Sequence, residues 1–207
     1  MTFTPDEFRK ALGHFLTGVA VVTARAPDGL LQGMTVSSFN SVSLDPPLVL
    51  FSVARSVLSF ATWQAASTWG ISVLGETRDG LSTRFTQAGT GKWVGVEPIA
   101  GATGVPLIPG ALAHFECERY AVHDGGDHLI FIGRVLALGR PAGLASRPLV
   151  FFSFPAVTTR STACAKGRAR TMGAFCTVGD TNRNRAIGLP KHVAHMRTLV
   201  PKLGTES

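Results

Sequence analysis

The spacing of apolar residues is helical at the start of the chain and strand-like through most of the remainder up to Phe152. Phe8, Leu12 and Phe15 fall on one face at helical spacing. Thr4 supplies an N-cap hydroxyl, Pro5 stands at the first helical position, and Asp6 and Glu7 complement the positive end of the helix dipole, so a helix is predicted from here to Gly18. Val19 to Ala24 is then apolar and β-branched, Pro27-Asp28-Gly29 has the residues of a turn, and Leu31 to Val36 is the expected hairpin partner. Asp45-Pro46-Pro47 breaks the chain before a short apolar strand, Leu48 to Val53. A helix over Val57 to Ala66, a buried strand over Gly70 to Leu74 and a short helix over Asp79 to Gln87 come next. The Gly- and Pro-containing stretch from Gly89 to Pro109 predicts a long surface connection. Ala113, Phe115 and Cys117 alternate with His114, Glu116 and Glu118, the pattern of a strand with one wet face. Gly125-Gly126 turns the chain into a strand from Leu129 to Leu138, and Leu149 to Phe152 is the last regular strand. Short, mainly antiparallel strands with few helices predict a closed or partly closed barrel rather than a doubly wound parallel sheet.

Past Phe152 this periodicity stops. Thr158 to Arg170 is rich in Thr, Ser, Ala and Arg, Asn182 to Arg185 is polar, and only a short helix around Lys191 to Leu199 is suggested. The expected organisation is one domain over residues 1–152 and a basic C-terminal extension over 153–207. Composition sharpens that division. The formal charge of +7 resides wholly in the extension, because residues 1–152 hold eleven Lys and Arg against eleven Asp and Glu, and residues 153–207 hold nine against two. A neutral body points to a small-molecule protein rather than a nucleic-acid or membrane binder, and the extension has too few aromatics to stack on bases. Three cysteines, Cys117, Cys164 and Cys176, without a CxxC, suggest neither a disulfide framework nor a zinc site. Reduced thiols, a charged N-terminus and no long apolar run fit a cytoplasmic protein.

Familiar catalytic motifs are missing. Gly91-Lys92 is followed by Trp93 where a P-loop needs Ser or Thr, no GxGxxG follows a strand, and no serine lies in GxSxG. His114, Cys117, His123 and His128 lie close in sequence without metal-ligand spacing, so no metal site is expected. The informative stretch runs from Gly33 to Ser56. It places the hydroxyls of Thr35, Ser37 and Ser38 after one strand, and Ser52 and Ser56 around a second strand and a helix start. Backbone N–H groups at a helix start with serines beside them suit a phosphate, and Arg55 and Arg84 could add charge-assisted bonds. The same serines would equally serve as turn and helix caps.

Together with Phe15-Leu16-Thr17-Gly18-Val19-Ala20-Val21-Val22-Thr23, this stretch resembles the flavin reductase-like family of FMN-binding split barrels, the reductase components of two-component flavin monooxygenases. Leu81-Ser82-Thr83-Arg84-Phe85, Pro106-Leu107 through Phe115-Glu116-Cys117, and Gly126-Asp127-His128-Leu129-Ile130-Phe131-Ile132-Gly133-Arg134-Val135 continue the resemblance in order, over roughly Phe8 to Phe152. It implies a mainly β fold with flanking helices, an FMN-binding split β-barrel. It further implies hydride transfer from NADH or NADPH to FMN or FAD, delivery of reduced flavin to a separate monooxygenase, and a homodimer. By position, Met34, Thr35, Val36, Ser37, Ser38, Ser52, Val53, Ala54 and Ser56 would follow the flavin, with Ser59, Arg84 and Phe85 at its phosphate end. Gly126, Asp127 and His128 would hold the nicotinamide nucleotide, with His128 as the catalytic position. Split barrels also serve non-enzymatic flavin carriers and pyridoxamine-phosphate oxidases, and the Gly-Asp-His motif favours the reductase.

Overall fold

The structure is a computed structural model that describes residues 2–89, 91–140 and 147–151, and the backbone of Phe175–Cys176. The remaining positions, including those of the suggested helix around Lys191 to Leu199, lie outside the described residues.

The predicted N-terminal cap forms in full. Thr4 Oγ1 accepts from the Glu7 N–H and the Glu7 carboxylate accepts from the Thr4 N–H, a reciprocal capping box that starts α1 (Pro5–Leu12). The helix stops at Gly13 rather than Gly18, so Phe15 falls beyond it, and none of its residues is buried. The chain continues through β1 (Thr17–Gly18), β2 (Ala20–Arg25), β3 (Leu31–Val36), β4 (Asn40–Leu44), β5 (Pro47–Ala54), α2 (Phe60–Ala65) and β6 (Thr68–Val73). After α3 (Asp79–Phe85) come β7 (Ile99–Ala100), β8 (Pro106–Leu107), β9 (Ala113–Gly125), β10 (His128–Gly139), β11 (Val150–Phe151) and β12 (Phe175–Cys176).

Seven strands form one antiparallel sheet in the order β3-β2-β6-β9-β10-β5-β4. Its two edge strands, β3 and β4, are consecutive in the chain and joined by residues 37–39 alone. Four residue steps from Val36 to Asn40 reach at most about 14 Å, whereas a flat seven-stranded sheet would hold its edges roughly 29 Å apart. The sheet must therefore curl until its edges approach, and since β3 and β4 exchange no ladder bonds the barrel stays open along that seam. This is the split β-barrel expected. Its interior is filled from every side, by Val22 and Ala24 of β2, Val36 of β3, Phe51 and Val53 of β5, Trp69 and Ile71 of β6, Cys117 of β9 and Phe131 of β10. Phe51 is the hub. Its ring stacks on Phe131 at 5.3 Å and meets Trp69 and Trp63 edge-on at 5.4 and 6.3 Å.

A second core lies on the outer face of β2. Val19 and Val21 pack there with Leu74, Phe85, Ile108 and Leu149, which is why β2 is buried on both faces apart from Arg25. Three features depart from the sequence pattern. The polar edge strand β4 pairs with β5, although Asn40, Ser41 and Ser43 carry no strand signature. Helix α2 begins only at Phe60, because the N–H groups of Val57 and Phe60 bond three residues back in a turn. The supposedly wet face of β9 is dry at His114 and Glu116, 4% and 6% exposed, and wet only at the half-exposed Glu118. The cause is the end of the expected surface connection: residues 91–104 stay largely at the surface, but the β7–β8 hairpin sets Ala102 and Thr103 against Glu116 and buries Val105, Leu107 and Ile108. Within the extension, β12 pairs with β11, which pairs with β1.

Candidate functional site

A cavity of about 540 Å³ opens between β3, the β5–α2 connection and the segment after α3. Gln32, Met34 and Thr35 of β3 form one wall, Ser56 to Ser59 with Thr62 a second, and Phe85 to Gly89 with Lys92 the third. That volume lies within the roughly 300–1,000 Å³ of small-molecule sites. Glycine is required in the first wall. A Cβ on Gly33 would come within 2.5 Å of the Phe85 ring and 3.1 Å of Trp93, so only a bare backbone lets these rings close on β3.

Among the residues the sequence singled out, Met34, Thr35, Ser56, Ser59 and Phe85 meet at this cavity. The Thr35 hydroxyl donates to the Ser82 carbonyl at 2.7 Å, which leaves its oxygen lone pairs toward a ligand. Ser59 Oγ accepts from Trp63 Nε1 at 3.1 Å, so its own proton can be donated. Ser38 and Ser52 are joined to each other, Ser38 Oγ accepting the Ser52 N–H at 2.9 Å just beyond the β4–β5 ladder. Ser37 is exposed on the β3–β4 corner. The side chains of Val36 and Val53 are buried in the barrel core, which leaves only their backbones for any ligand. Arg84 stands outside the cavity wall and donates to the Val94 carbonyl at 2.8 Å.

Ala54, Gly126, Asp127 and His128 form a neighbouring group. His128 of β10 pairs with Ala54 of β5. Arg55 fastens the hairpin turn to the end of β5: its N–H donates to the Asp127 carbonyl and its Nε to the Gly126 carbonyl, both at 2.9 Å, and its guanidinium pairs with Asp124. Gly126 takes φ +80°, a conformation that favours glycine. The hydrogen bond with His128, together with that residue's charge, holds the Asp127 carboxyl below its ordinary range, so it is ionised at neutral pH. An ionised carboxylate only accepts, hence His128 Nδ1 donates across the 2.7 Å contact and Nε2 is left for a ligand.

Sequence reasoning overlooked Gln32, Thr62, the Thr86–Gly89 segment and Lys92. Lys92 Nζ donates to the Gly33 carbonyl at 2.8 Å and is half-buried, and burial holds its ammonium below the usual lysine range. A signal is present in the polar run Thr86-Gln87-Ala88-Gly89 with Gly91-Lys92 straight after a helix, but a P-loop template rejects it. Among the described residues no cluster of His, Cys, Asp and Glu could hold a metal ion, and no helix is long and apolar enough to cross a membrane.

A cavity of hydroxyls, apolar side chains and one aromatic ring with a single cation, beside an exposed Gly-Asp-His turn, suits a phosphorylated aromatic ligand and a second reactant. Comparison with known proteins agrees. The flavin reductase like domain matches residues 12–156. The FMN reductase (NADH) SmoA of Agrobacterium fabrum is 50% identical over 144 residues, 70% of this chain and 80% of that protein. The reductase subunit HsaB of a flavin-dependent monooxygenase from Rhodococcus jostii is 36% identical over 148 residues, 72% of this chain and 74% of that protein. The solved NADH:FAD oxidoreductase SgcE6 of Streptomyces globisporus C-1027, in complex with NAD and FAD fragments, superposes with a TM-score of 0.66 at 33% identity, over 76% of this chain and 99% of that one. With the family match covering more than half of the 207 residues and relatives this similar along most of their length, the chain belongs to the flavin reductase like domain family.

Proposed function

We propose that this protein is an NAD(P)H:flavin oxidoreductase that transfers hydride from NADH or NADPH to FMN or FAD and supplies the reduced flavin to a separate monooxygenase. The observation that carries the reading is the pairing, within this family's fold, of a cavity built by Thr35, Ser59, Phe85 and Lys92 with the Asp127–His128 turn held against Ala54 and Arg55. The donor set fits a flavin on its chemistry: an apolar side from Met34 and Phe85, hydroxyls along Ser56, Ser59 and Thr62, and one ammonium for a phosphate. When bound, the flavin supplies the hydride-accepting N5 and the redox chemistry. The chain's own residues bind, orient and exclude water. Phe85, closed against Trp93 with ring centroids 5.0 Å apart, dries one wall. Arg55 fixes the turn that carries His128, and Asp127 fixes the His128 tautomer, so that Nε2 is presented in one orientation to the nicotinamide. No nucleophilic side chain is needed, in keeping with the absence of any such motif.

A homodimer belongs to the same proposal. Phe8 and Leu12 of α1, and Phe15 and Leu16 just after it, are each more than half exposed in the single chain, apolar surface that a second copy would cover. Cytoplasmic residence is likewise proposed, supported by the free thiol of Cys117. The division into a catalytic unit at 1–152 and an accessory extension at 153–207 predicts that a chain ending at Phe152 retains flavin reduction.

Purified protein titrated with FMN and with FAD, followed by loss of NADH or NADPH absorbance with each, tests the central reading. Flavin-dependent oxidation of either nucleotide is expected. Flavin binding without accelerated nucleotide oxidation would instead make the protein a carrier. Light scattering on the eluting peak tests the dimer, which a monomer mass would refute.

A further inference from the structure

Helix α2 supplies part of the cavity wall, yet little of it is anchored. It is six residues long, shorter than helical propensity sustains by itself. Ser59 at its start gives its N–H groups no side-chain cap, and Trp63 is its one buried residue. That indole sits edge-on to Phe51 at 6.3 Å in the barrel core and donates to Ser59 Oγ at 3.1 Å. A single buried side chain leaves a short helix free to pivot about it, and a pivot would carry Ser59 and Thr62 out of the cavity wall.

The second point of attachment is Arg119 of β9, which does not line the cavity. Its Nη2 amino group donates to the carbonyls of Gln64, at 2.6 Å, and Ala66, and its backbone N–H donates to the Ser67 carbonyl at 2.8 Å. One residue thus serves three acceptors around the end of α2, where the last carbonyls of a helix lack partners within it and the dipole favours a cation. The strand is shaped to deliver this side chain. Arg119 pairs with Gly133 and Ala121 with Ile132, so Tyr120 is the extra residue of a β-bulge, an irregularity that re-aims side chains. Opposite Arg119, a Cβ on Gly133 would come within 2.9 Å of Cys117 and 3.0 Å of Trp69, so β10 presents no side chain there. The neighbouring carboxylate of Glu118 is taken by Arg134, and Arg119 joins no ion pair among the described residues. Its guanidinium is spent on α2.

We propose that Arg119 is a positioning residue for flavin binding: by clamping the last turn of α2 from outside the cavity, it fixes the wall that Ser59 and Thr62 present to the ligand. The inference rests on the flavin-reductase reading. Losing hydrogen bonds of this kind corresponds to about a threefold to tenfold change in an equilibrium, read here in flavin affinity. The Gly-Asp-His turn is fastened separately by Arg55, so the nucleotide site keeps its geometry when Arg119 is changed.

The test measures the Kd for FMN by fluorescence titration, and the KM for FMN and for NADH, in the unsubstituted protein, Arg119→Ala, Arg119→Lys and Arg119→Gln, each well below its melting temperature. Arg119→Ala raises the Kd and KM for FMN about threefold to tenfold and leaves the NADH KM within about twofold. Arg119→Lys, whose ammonium can still donate to both carbonyls, restores most of the affinity, and Arg119→Gln, with a neutral amide donor, restores part. Arg119→Gln carries the decision should Arg119→Ala not fold. A purely structural role would lower the melting temperature with both constants unchanged, or raise both alike, and either result overturns the proposal. Thr62→Val supplies a second check. With that wall hydroxyl gone, Arg119→Ala costs less flavin affinity than it does alone, and independent effects would refute action through α2. Because the Kd needs no turnover, a protein that binds FMN but oxidises no NADH would sink the reductase reading and leave the test of Arg119 in force.

Discussion

Replacing Gly33 by alanine adds a single methyl group where β3 meets the Phe85 and Trp93 rings. The new Cβ would stand 2.5 and 2.8 Å from two carbons of the Phe85 ring and 3.1 Å from a Trp93 carbon. Carbon–carbon contacts settle at about 3.5–4.0 Å, so the Phe85 ring must move by about 1 Å. It has little room, because Phe85 is 1% exposed and packed among Val19, Val21 and Leu74. Overpacking of this kind costs about 1–3 kcal/mol, which at about 2–4 °C per kcal/mol for a chain of this size lowers the melting temperature by several degrees. Because Phe85 lines the cavity, the KM for flavin rises with it. Thermal melts and steady-state kinetics of Gly33→Ala, Phe85→Val and the double variant separate the causes. Shortening Phe85 removes the obstacle, so the double variant should be more stable than the sum of the single effects predicts, by about 1 kcal/mol or more. Additivity within about 0.5 kcal/mol would refute the collision.

Arg55→Ala unfastens the Asp124–Asp127 turn; since the pair is exposed, stability changes by at most about 1 kcal/mol, while the KM for NADH rises several-fold, and an unchanged nucleotide KM would disprove the positioning role. Stability should also fall in acid in two stages, read by urea melts across pH. Burial holds His114 below its ordinary value of 6.5, so the unfolded chain takes up that proton first and stability is lost as pH falls below about that value, at no more than about 1.4 kcal/mol per pH unit. Burial pushes the Glu116 carboxyl up, but hydrogen bonds from Thr103 and Ala102 and the nearby His114 more than offset it, so a further loss follows below the ordinary glutamate value of 4.5. His114→Asn should remove the first stage, and persistence of that stage would disprove the assignment. Burial pushes the Cys117 thiol up to about 12, so peptide mapping after alkylation at neutral pH should find Cys117 unmodified in the native protein and modified in urea. His128→Ala should slow turnover or raise the NAD(P)H requirement with flavin affinity nearly unchanged, and loss of flavin binding would show that the ring acts elsewhere.

Much of this molecule was legible without coordinates, and the exceptions share a cause. The capping box at Thr4, the β2–β3 hairpin around Asp28-Gly29, and the long β9–β10 hairpin around Gly126 rest on residues adjacent in sequence, where turn chemistry and periodicity act directly. The hydroxyl run after Gly33 and the Gly-Asp-His turn are equally local. Hence order and spacing alone pointed to the family, and to Met34, Thr35, Ser56, Ser59 and Phe85, which the fold brings to one cavity. By contrast, alternation along β9 separates its two faces but does not reveal what covers them. His114 and Glu116 look wet until the β7–β8 hairpin closes over that face and Glu116 receives the N–H groups of Ala102 and Thr103. The strand β4 lacks a strand pattern because pairing with β5, rather than burial, makes it one.

The same distinction applies to charge. By itself the sequence determined the helix and strand periods, the neutral body, the ordered motifs and the class of chemistry, because each is carried by neighbours in the chain. Only the tertiary structure decided that Arg55 and Arg84 spend their donors on backbone carbonyls while Lys92 faces the cavity, for the ammonium is placed by a carbonyl 59 positions away on an edge strand. What a cation does depends on which acceptors the folded backbone leaves within its reach, and those acceptors come from segments remote in sequence.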